Sequence, residues 1–255
     1  MPELPEVEMY MRYFERHALG QTIARVRVLD ARICGTRKLN QLVGRSFHKV
    51  RRHGKHLFVD AGDVWLHIHF GMSGDLAYYL DQPPRFARLI FSFDNGTHLA
   101  YQDMRLFGIV DLTPSLEDYV REHRLGPDPL DPKFNLRAFR ALLHKRRGRI
   151  KALLMSQHAI AGIGNLYADE ALFRSSIDPQ RPVDQLHREE VKKLFTNIRR
   201  VLHDAIALQS RGDDYPSRFL IEVREDGERC PRCGGTIRRT IVAGRTTYYC
   251  AKHQR

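Results

Sequence analysis

Leu125-Gly126-Pro127-Asp128-Pro129 divides this chain into two kinds of polypeptide. Proline lacks an N–H and restricts the residue before it, so two prolines and a glycine within five residues end any regular element that enters them. On the N-terminal side of this break the apolar residues recur at every second position. Ala24, Val26 and Val28 alternate with Arg25 and Arg27; Val64, Leu66, Ile68 and Phe70 with Trp65, His67 and His69; Leu89, Phe91 and Phe93 with Arg88, Ile90 and Ser92. Successive strand side chains point to opposite faces, so these runs predict antiparallel strands with one buried face, a β-sandwich or barrel. On the C-terminal side the period becomes 3.6. Leu136, Phe139 and Leu143, then Val191, Leu194, Phe195, Ile198, Leu202 and Ala205, fall on helix faces, with helix expected to about Gln209. Ahead of the strands Val7, Met11, Phe14 and Ala18 predict one leading helix, stopped by Gly20. The fold class is therefore α+β. The expected organisation is a β domain over 1–114, a linker over 115–131, a helical domain over 132–220 and a Cys-containing tail over 221–255.

That tail carries the sharpest chemical signal. Cys230-Pro231-Arg232-Cys233 is followed by sixteen residues and then by Cys250-Ala251-Lys252-His253. Two close pairs separated by a hairpin-sized spacer suit a tetrahedral Zn²⁺ site, each pair forming one knuckle. The spacer reads as that hairpin: Thr236, Arg238 and Thr240 alternate with Ile237, Arg239 and Ile241, and Ala243-Gly244 turns into Thr246–Tyr249. So short a tail has little core of its own and depends on the metal to fold. One structural zinc held by Cys230, Cys233, Cys250 and His253 is expected. Cys34 stands alone as a free thiol.

The 255 residues carry a formal charge of +12 and a pI of about 9.8. A polyanionic partner fits this excess, because each Lys or Arg placed on a phosphate releases a condensed counterion. No apolar run approaches the roughly 20 residues needed to span a bilayer. The acidic start, Met1-Pro2-Glu3-Leu4-Pro5-Glu6, has no signal-peptide pattern, so a bacterial cytoplasmic, nucleoid-associated protein is expected. The helical half offers a place for DNA. Ile150–Met155 and Asn165–Glu170 read as helices joined through Gly162-Ile163-Gly164, and His144-Lys145-Arg146-Arg147-Gly148-Arg149 lies just upstream. Glycines let a backbone approach a phosphate closely, and the N–H groups opening a helix offer it positive charge. Lys151, Asn165 at the helix opening, and Arg245 at the hairpin tip are candidate phosphate contacts.

At the N-terminus, loss of Met1 would expose the secondary amine of Pro2. An α-amino group titrates at about 7.7–8.0, so part of it is neutral near pH 7 and able to form a Schiff base with a sugar carbon. Glu3 and Glu6 supply carboxylates for proton transfer. Proline followed by glutamate is also simply a good helix start.

Met1-Pro-Glu-Leu-Pro-Glu-Val-Glu8 resembles the N-terminal signature of the formamidopyrimidine-DNA glycosylase/endonuclease VIII family. The resemblance continues through Arg51-Arg52-His-Gly-Lys55, His69-Phe-Gly-Met72-Ser-Gly74, Asp103-Met-Arg105-Leu-Phe107-Gly108, Gly162–Glu170 and the zinc tail, in the family's order and over essentially the whole chain. It implies an N-terminal β-sandwich behind the first helix, a helix–two-turn–helix domain and a zinc finger, with damaged double-stranded DNA as partner. The implied activity is a monomeric base-excision glycosylase with AP lyase action and β,δ-elimination. Pro2 would be the nucleophile, Glu3 the acid at the deoxyribose, and Lys55 a phosphate contact that assists catalysis. Lys151, Asn165 and Arg245 match the family's phosphate clamp. Met72, Arg105 and Phe107 match the residues that fill the gap left by an extruded base, which fits the few kcal/mol that extrusion costs.

Three departures accompany the resemblance. His253 replaces a cysteine, Met104 replaces a proline, and Gln209–Arg229 looks shorter than in typical members, which implies a changed base preference. Oxidised pyrimidines, or bulky or cross-linked adducts, are the alternative substrates. A non-catalytic zinc-containing DNA-binding protein and a zinc-ribbon RNA-binding protein are the readings from other classes, and neither explains Pro2, Glu3 and Lys55 together.

Overall fold

Helix α1 (Leu4–Ala18) opens the chain, with Pro5 in its first turn and Glu3 as N-cap residue. The Glu3 N–H donates to the Glu6 carboxylate at 2.8 Å, satisfying a donor that has no partner within the helix. Leu4, Val7, Phe14 and Ala18 form its buried stripe. The computed structural model describes residues 1–34 and 39–255, which divide into two units, Met1–Arg124 and Leu125–Arg255.

Among the described residues of the first unit eight strands follow α1: β1 (Ile23–Val28), β2 (Lys49–His53), β3 (His56–Asp60), β4 (Trp65–His69), β5 (Gly74–Tyr79), β6 (Ala87–Phe93), β7 (His98–Asp103) and β8 (Ile109–Thr113). They form two antiparallel four-stranded sheets, ordered β1-β6-β7-β5 and β2-β3-β4-β8. The arrangement is a sandwich rather than a barrel. Leu57, Leu66, Ile68 and Val110 from one sheet share a core with Leu89, Phe91 and Leu99 from the other, and α1 adds Phe14. The inward-facing sets of β4 and β6 read true, since Val64, Leu66, Ile68 and Phe70, and Leu89, Phe91 and Phe93, are all buried, but Ile90, expected on the outer face of β6, is buried with them. It fails in β1, an edge strand with a register break between Ile23 and Arg25; Ala24 and Val28 are exposed, and Ile23 and Val26 carry the contact.

His67, expected on the outer face of its strand, is also buried. Helix α2 (Leu116–Glu122) covers it, capped by the Ser115 hydroxyl, which accepts the Asp118 N–H at 2.9 Å. The Tyr119 ring lies 4.1 Å from His67 and 5.3 Å from Phe58. The stretch read as a linker thus begins with a helix that closes the outer face of the second sheet.

The second unit contains α3 (Leu136–Leu143), α4 (Ile150–Met155), α5 (Asn165–Ser175), the long α6 (Arg188–Arg211) and the hairpin β9 (Ile237–Val242)–β10 (Arg245–Cys250). Helix α6 runs two residues beyond Gln209 and ends at Gly212, whose φ of +72° is the left-handed closure that glycine adopts without strain. α5 is the central element, in contact with α4, α6 and β10 and buried on almost every face. At the hairpin tip Ala243 (φ +49°) and Gly244 (φ +71°) both take positive φ, the two-residue turn whose twist matches its strands.

Candidate active site and nucleic-acid interface

Pro2 is half-buried and Glu3, at the mouth of α1, is only 5 % exposed. Lys55, in the two-residue turn between β2 and β3, is likewise 5 % exposed, and Gly54 before it takes the positive φ (+58°) of such turns. Carboxylate and ammonium groups are seldom held this far from water without a reason. Arg52, three residues before Lys55, binds Glu8 of α1 at 3.0 Å, fastening the hairpin to the helix. The histidines of this sheet surround the hairpin's second strand. His56 Nδ1 and His67 Nε2 lie 2.9 Å apart. Burial holds His56 far below the usual imidazole range and His67 at about 3; it lowers His69 too, and there the Lys55 ammonium adds to the effect. Neutral imidazoles therefore line the strands beside Lys55 near pH 7.

Two loops bring Met72, Arg105 and Phe107 to the surface of the same unit. Met72 and Phe107 are 43 % and 55 % exposed, and the Arg105 guanidinium lies 5.1 Å from the Phe107 ring centre. Asp103, fully buried, organises the loop: its carboxylate accepts the Ser73 hydroxyl at 2.5 Å and the backbone N–H groups of Arg105 at 3.1 Å and Gly108 at 2.8 Å. A Cβ on Gly71 would meet the Phe107 carbonyl carbon at 2.4 Å, so this glycine is what lets the two loops touch. With Asp103 closing the loop, Met104 stands out at its surface as a further exposed apolar residue.

In the second unit the turn between α4 and α5 is knitted by Gln157, whose amide donates to the Ile163 carbonyl at 2.8 Å and accepts the Gly162 N–H at 2.8 Å. Asn165 opens α5 behind Gly164, and its amide donates to the Thr246 carbonyl at 3.0 Å, next to Arg245. Arg245 is exposed at the hairpin tip. Lys151 departs from expectation. Rather than standing on the basic surface it is fully buried, its ammonium 2.6 Å from Asp169 and 2.6 Å from the Thr247 hydroxyl. The reason is α5: a helix surrounded by α4, α6 and β10 carries Asp169 inward, and a buried carboxylate draws cations to itself. Arg224 is the second, with Nη2 2.6 Å from Asp169, and the Tyr248 N–H donates to the same oxygen at 3.3 Å. Asp169 was missed in the sequence reading. Its signal is the acidic pair Asp169-Glu170 set among Leu166, Tyr167, Ala168, Ala171, Leu172 and Phe173, in a helix buried on almost every face, where an unpaired charge is not tolerated.

Cys230, Cys233, Cys250 and His253 converge with their ligand atoms all within 4.8 Å of one another. Cys233 and Cys250 sulfurs are 3.5 Å apart, and Cys230 Sγ is 3.6 Å from His253 Nδ1. A tetrahedron with Zn–S of about 2.3 Å and Zn–N of about 2.0 Å has edges of about 3.5–3.8 Å, so these side chains suit one structural zinc. Phe173 of α5 packs against His253 and joins Leu220, Ile237, Cys230 and Cys250 in a small core beneath the site.

A β-sandwich headed by a capped helix, a helix–two-turn–helix unit and a Cys₃His zinc hairpin together define a DNA-repair glycosylase scaffold. Residues 1–110 match the family model for the formamidopyrimidine-DNA glycosylase N-terminal domain, 125–215 its H2TH domain, and 227–252 the zinc finger found in FPG and IleRS. The formamidopyrimidine-DNA glycosylase of Desulforamulus reducens is 36 % identical over 278 residues, covering 100 % of this chain and 99 % of its own length. That of a Nocardioides species is 37 % identical over 279 residues, with 98 % and 93 % covered. Lactococcus lactis Fpg in complex with abasic-site DNA superposes with a TM-score of 0.88 at 31 % identity, covering 99 % of both chains. MutM in complex with DNA containing carbocyclic 8-oxo-G gives 0.89 at 32 %, covering 100 % of both. The chain belongs to the formamidopyrimidine-DNA glycosylase family, whose members are DNA glycosylases and AP lyases of base excision repair. No helix among the described residues is long and apolar enough to cross a membrane.

Proposed function

We propose that this chain excises an oxidised or ring-opened base from double-stranded DNA and then nicks the strand, with the amine of Pro2 as nucleophile. Removal of Met1, which is exposed, frees that nitrogen. The neutral amine attacks C1′ of the damaged nucleotide, the glycosidic bond breaks, and the base departs with the bonding pair and takes up the proton that the attacking nitrogen sheds. Glu3 protonates the ring oxygen as the C1′–O4′ bond opens, leaving an iminium between Pro2 and C1′. Loss of a C2′ proton expels the 3′-phosphate, a second elimination expels the 5′-phosphate, and water hydrolyses the iminium to release the sugar fragment and the amine. Lys55 contacts a phosphate beside the reacting sugar. Met72, Arg105 and Phe107 occupy the space vacated by the extruded base, two apolar wedges and one guanidinium facing the orphaned partner. Asn165 and Arg245 hold the backbone, and Lys151 acts by fixing the hairpin that bears Arg245. The enzyme works as a monomer in the bacterial cytoplasm, at the nucleoid.

The observation that carries this reading is Glu3, buried directly beside Pro2 at the start of α1 in a chain of this family. Borohydride trapping on a duplex with one abasic site tests it. A covalent protein–DNA band from wild type and none from Pro2→Gly is expected, with Glu3→Gln losing base excision more than lyase action. No band from protein shown by mass spectrometry to begin at Pro2 would refute the amine as nucleophile.

Lesion preference is a separate matter. The connection after α6 is short and tied down: Tyr215 and Tyr167 hydroxyls lie 2.9 Å apart, and the Gln209 amide donates to both at 3.2 and 3.1 Å. The tie favours a base preference shifted from that of longer relatives, and paired assays on oxidised-purine and oxidised-pyrimidine duplexes decide it.

A further inference from the structure

We propose that the second unit carries another site for a phosphodiester backbone, a basic trough at the end of α5 remote from Asn165. A cavity of about 550 Å³ opens there between α5, α6 and the first zinc knuckle, walled by Arg174, Asn197, Arg200, Arg218 and Arg232 over a floor that includes Phe173 and Phe219. A second hollow of about 480 Å³ shares Arg174, Asn197 and Arg200 and adds Lys192 and Lys193.

The carboxylates do not balance these cations. Asp204, one of two at the trough, is already bound to Arg174 Nη1 at 2.7 Å. Arg174 is also held by Glu170, with Nε at 2.8 Å, and its Cζ lies 3.9 Å from the Phe219 ring centre, while its buried Nη2 makes no hydrogen bond among the described residues. Glu189 lies in the second hollow, beside the two lysines. Arg200 and Arg218 have no carboxylate partner among the described residues; Arg218 has only the Phe219 ring, 5.5 Å away. Arg232 donates to the last carbonyls of α5, those of Phe173 and Arg174, at 3.3 and 3.1 Å through one nitrogen and leaves the rest of its fork unspent. Burial first and the charge of Arg232 second push Lys193 below its ordinary value, against the opposing pull of Glu190.

The shape selects a chain of anions over a single one. Lys192 and Arg200 are eight residues apart on α6, about 12 Å at 1.5 Å per residue, and a DNA strand presents a charge about every 3.4 Å along its axis. Guanidinium forks suit the paired oxygens of a phosphodiester. The trough is also set apart from the proposed clamp. Arg174 lies nine residues along α5 from Asn165, about 13 Å, and the knuckle lies at the opposite end of a six-residue hairpin from Arg245, about 20 Å. The backbone it takes comes from DNA flanking the lesion or from a second duplex.

The exposed pair Arg200→Ala/Arg218→Ala tests this, with Arg200→Lys/Arg218→Lys as the charge-preserving control. Salt titrations measure binding to a short abasic-analogue duplex of about one helical turn and to an undamaged duplex of about four turns. On the long duplex the slope of log K against log salt should fall by about 1.8, two contacts at about 0.9 each, with the lysine variant near wild type. Borohydride trapping on the short duplex should be unchanged, which keeps this test independent of the Pro2 chemistry. If a second duplex occupies the trough, wild type binds two short duplexes per chain and the alanine variant one; if flanking DNA does, both bind one. An unchanged slope on the long duplex would overturn the proposal. So would equal loss on both duplexes with one bound per chain, which makes the trough part of the lesion contact. Loss of polyglutamate binding with DNA binding intact would assign it to an acidic protein partner instead.

Discussion

Replacing Asp169 with asparagine should destabilise the second unit more than any single change at its surface. Asp169 and Lys151 are 1 % and 0 % exposed and 2.6 Å apart, and Asp169 also binds Arg224 at 2.6 Å. Asparagine keeps the shape but leaves the Lys151 ammonium inside the protein without a counter-charge. Breaking a buried pair from one side costs about 3–5 kcal/mol, since the remaining charge must stay desolvated. Arg224 loses the same partner, but it is partly exposed and can turn to water, so the expected loss is near the middle of that range. Lys151→Met should cost less, because Asp169 keeps Arg224 and the Tyr248 N–H. Urea unfolding followed by circular dichroism gives both values. Hydrogen exchange at Thr247 and Tyr248 should rise in Asp169→Asn, because β10 loses its anchor to α5. Affinity for an abasic-analogue duplex should fall with it, as Arg245 is carried by that strand. A loss below about 1 kcal/mol for Asp169→Asn, or a greater loss for Lys151→Met, would show that the carboxylate is not the hub.

Acid should weaken the first unit through its histidines. His67 stays neutral in the fold to about pH 3 because burial penalises its charge, while in the unfolded chain it protonates near 6.5. Its contribution is therefore fully present above pH 6.5 and is lost as pH falls, at up to about 1.4 kcal/mol per pH unit. The groups facing it are His56, His69, His123 and Tyr119, with Asp111 at the rim. His67→Gln should flatten the pH dependence of stability between pH 6 and 4 by about that slope, followed by the fluorescence of the single tryptophan, Trp65; an unchanged slope would exclude His67 as the titrating group. The purified protein should hold one zinc per chain, and chelation should loosen the 230–253 hairpin and weaken DNA binding. Full affinity after verified metal loss would remove the finger from the DNA contact.

Much of the fold could be read from the residues because it rests on local periodicity. Alternation in β4 and β6 and 3.6-residue repeats in α3 and α6 decide which face is apolar whatever the rest of the chain does. Cys and His spacing marks the zinc hairpin, since two knuckles and a turn are local geometry. Pro2 and Glu3 were visible as adjacent residues, and the order of the blocks Arg51–Lys55, His69–Gly74 and Asp103–Gly108 carried the family.

What periodicity could not give was whatever depends on an element distant in sequence. Nothing in Trp65–His69 says that α2 would cover His67, because that helix lies fifty residues on and its docking is a packing event. Nothing in Ile150–Met155 says that Lys151 would turn inward. Its direction is decided by Asp169 on the next helix and by Thr247 nearly a hundred residues away, and only in the folded unit do the three meet. The sequence by itself determined which residues prefer strand or helix, where metal can bind, and which residues carry the repair signature. The tertiary structure decided which charges are buried and paired and which are left facing water, because desolvation depends on what packs against a side chain, and no local pattern encodes that.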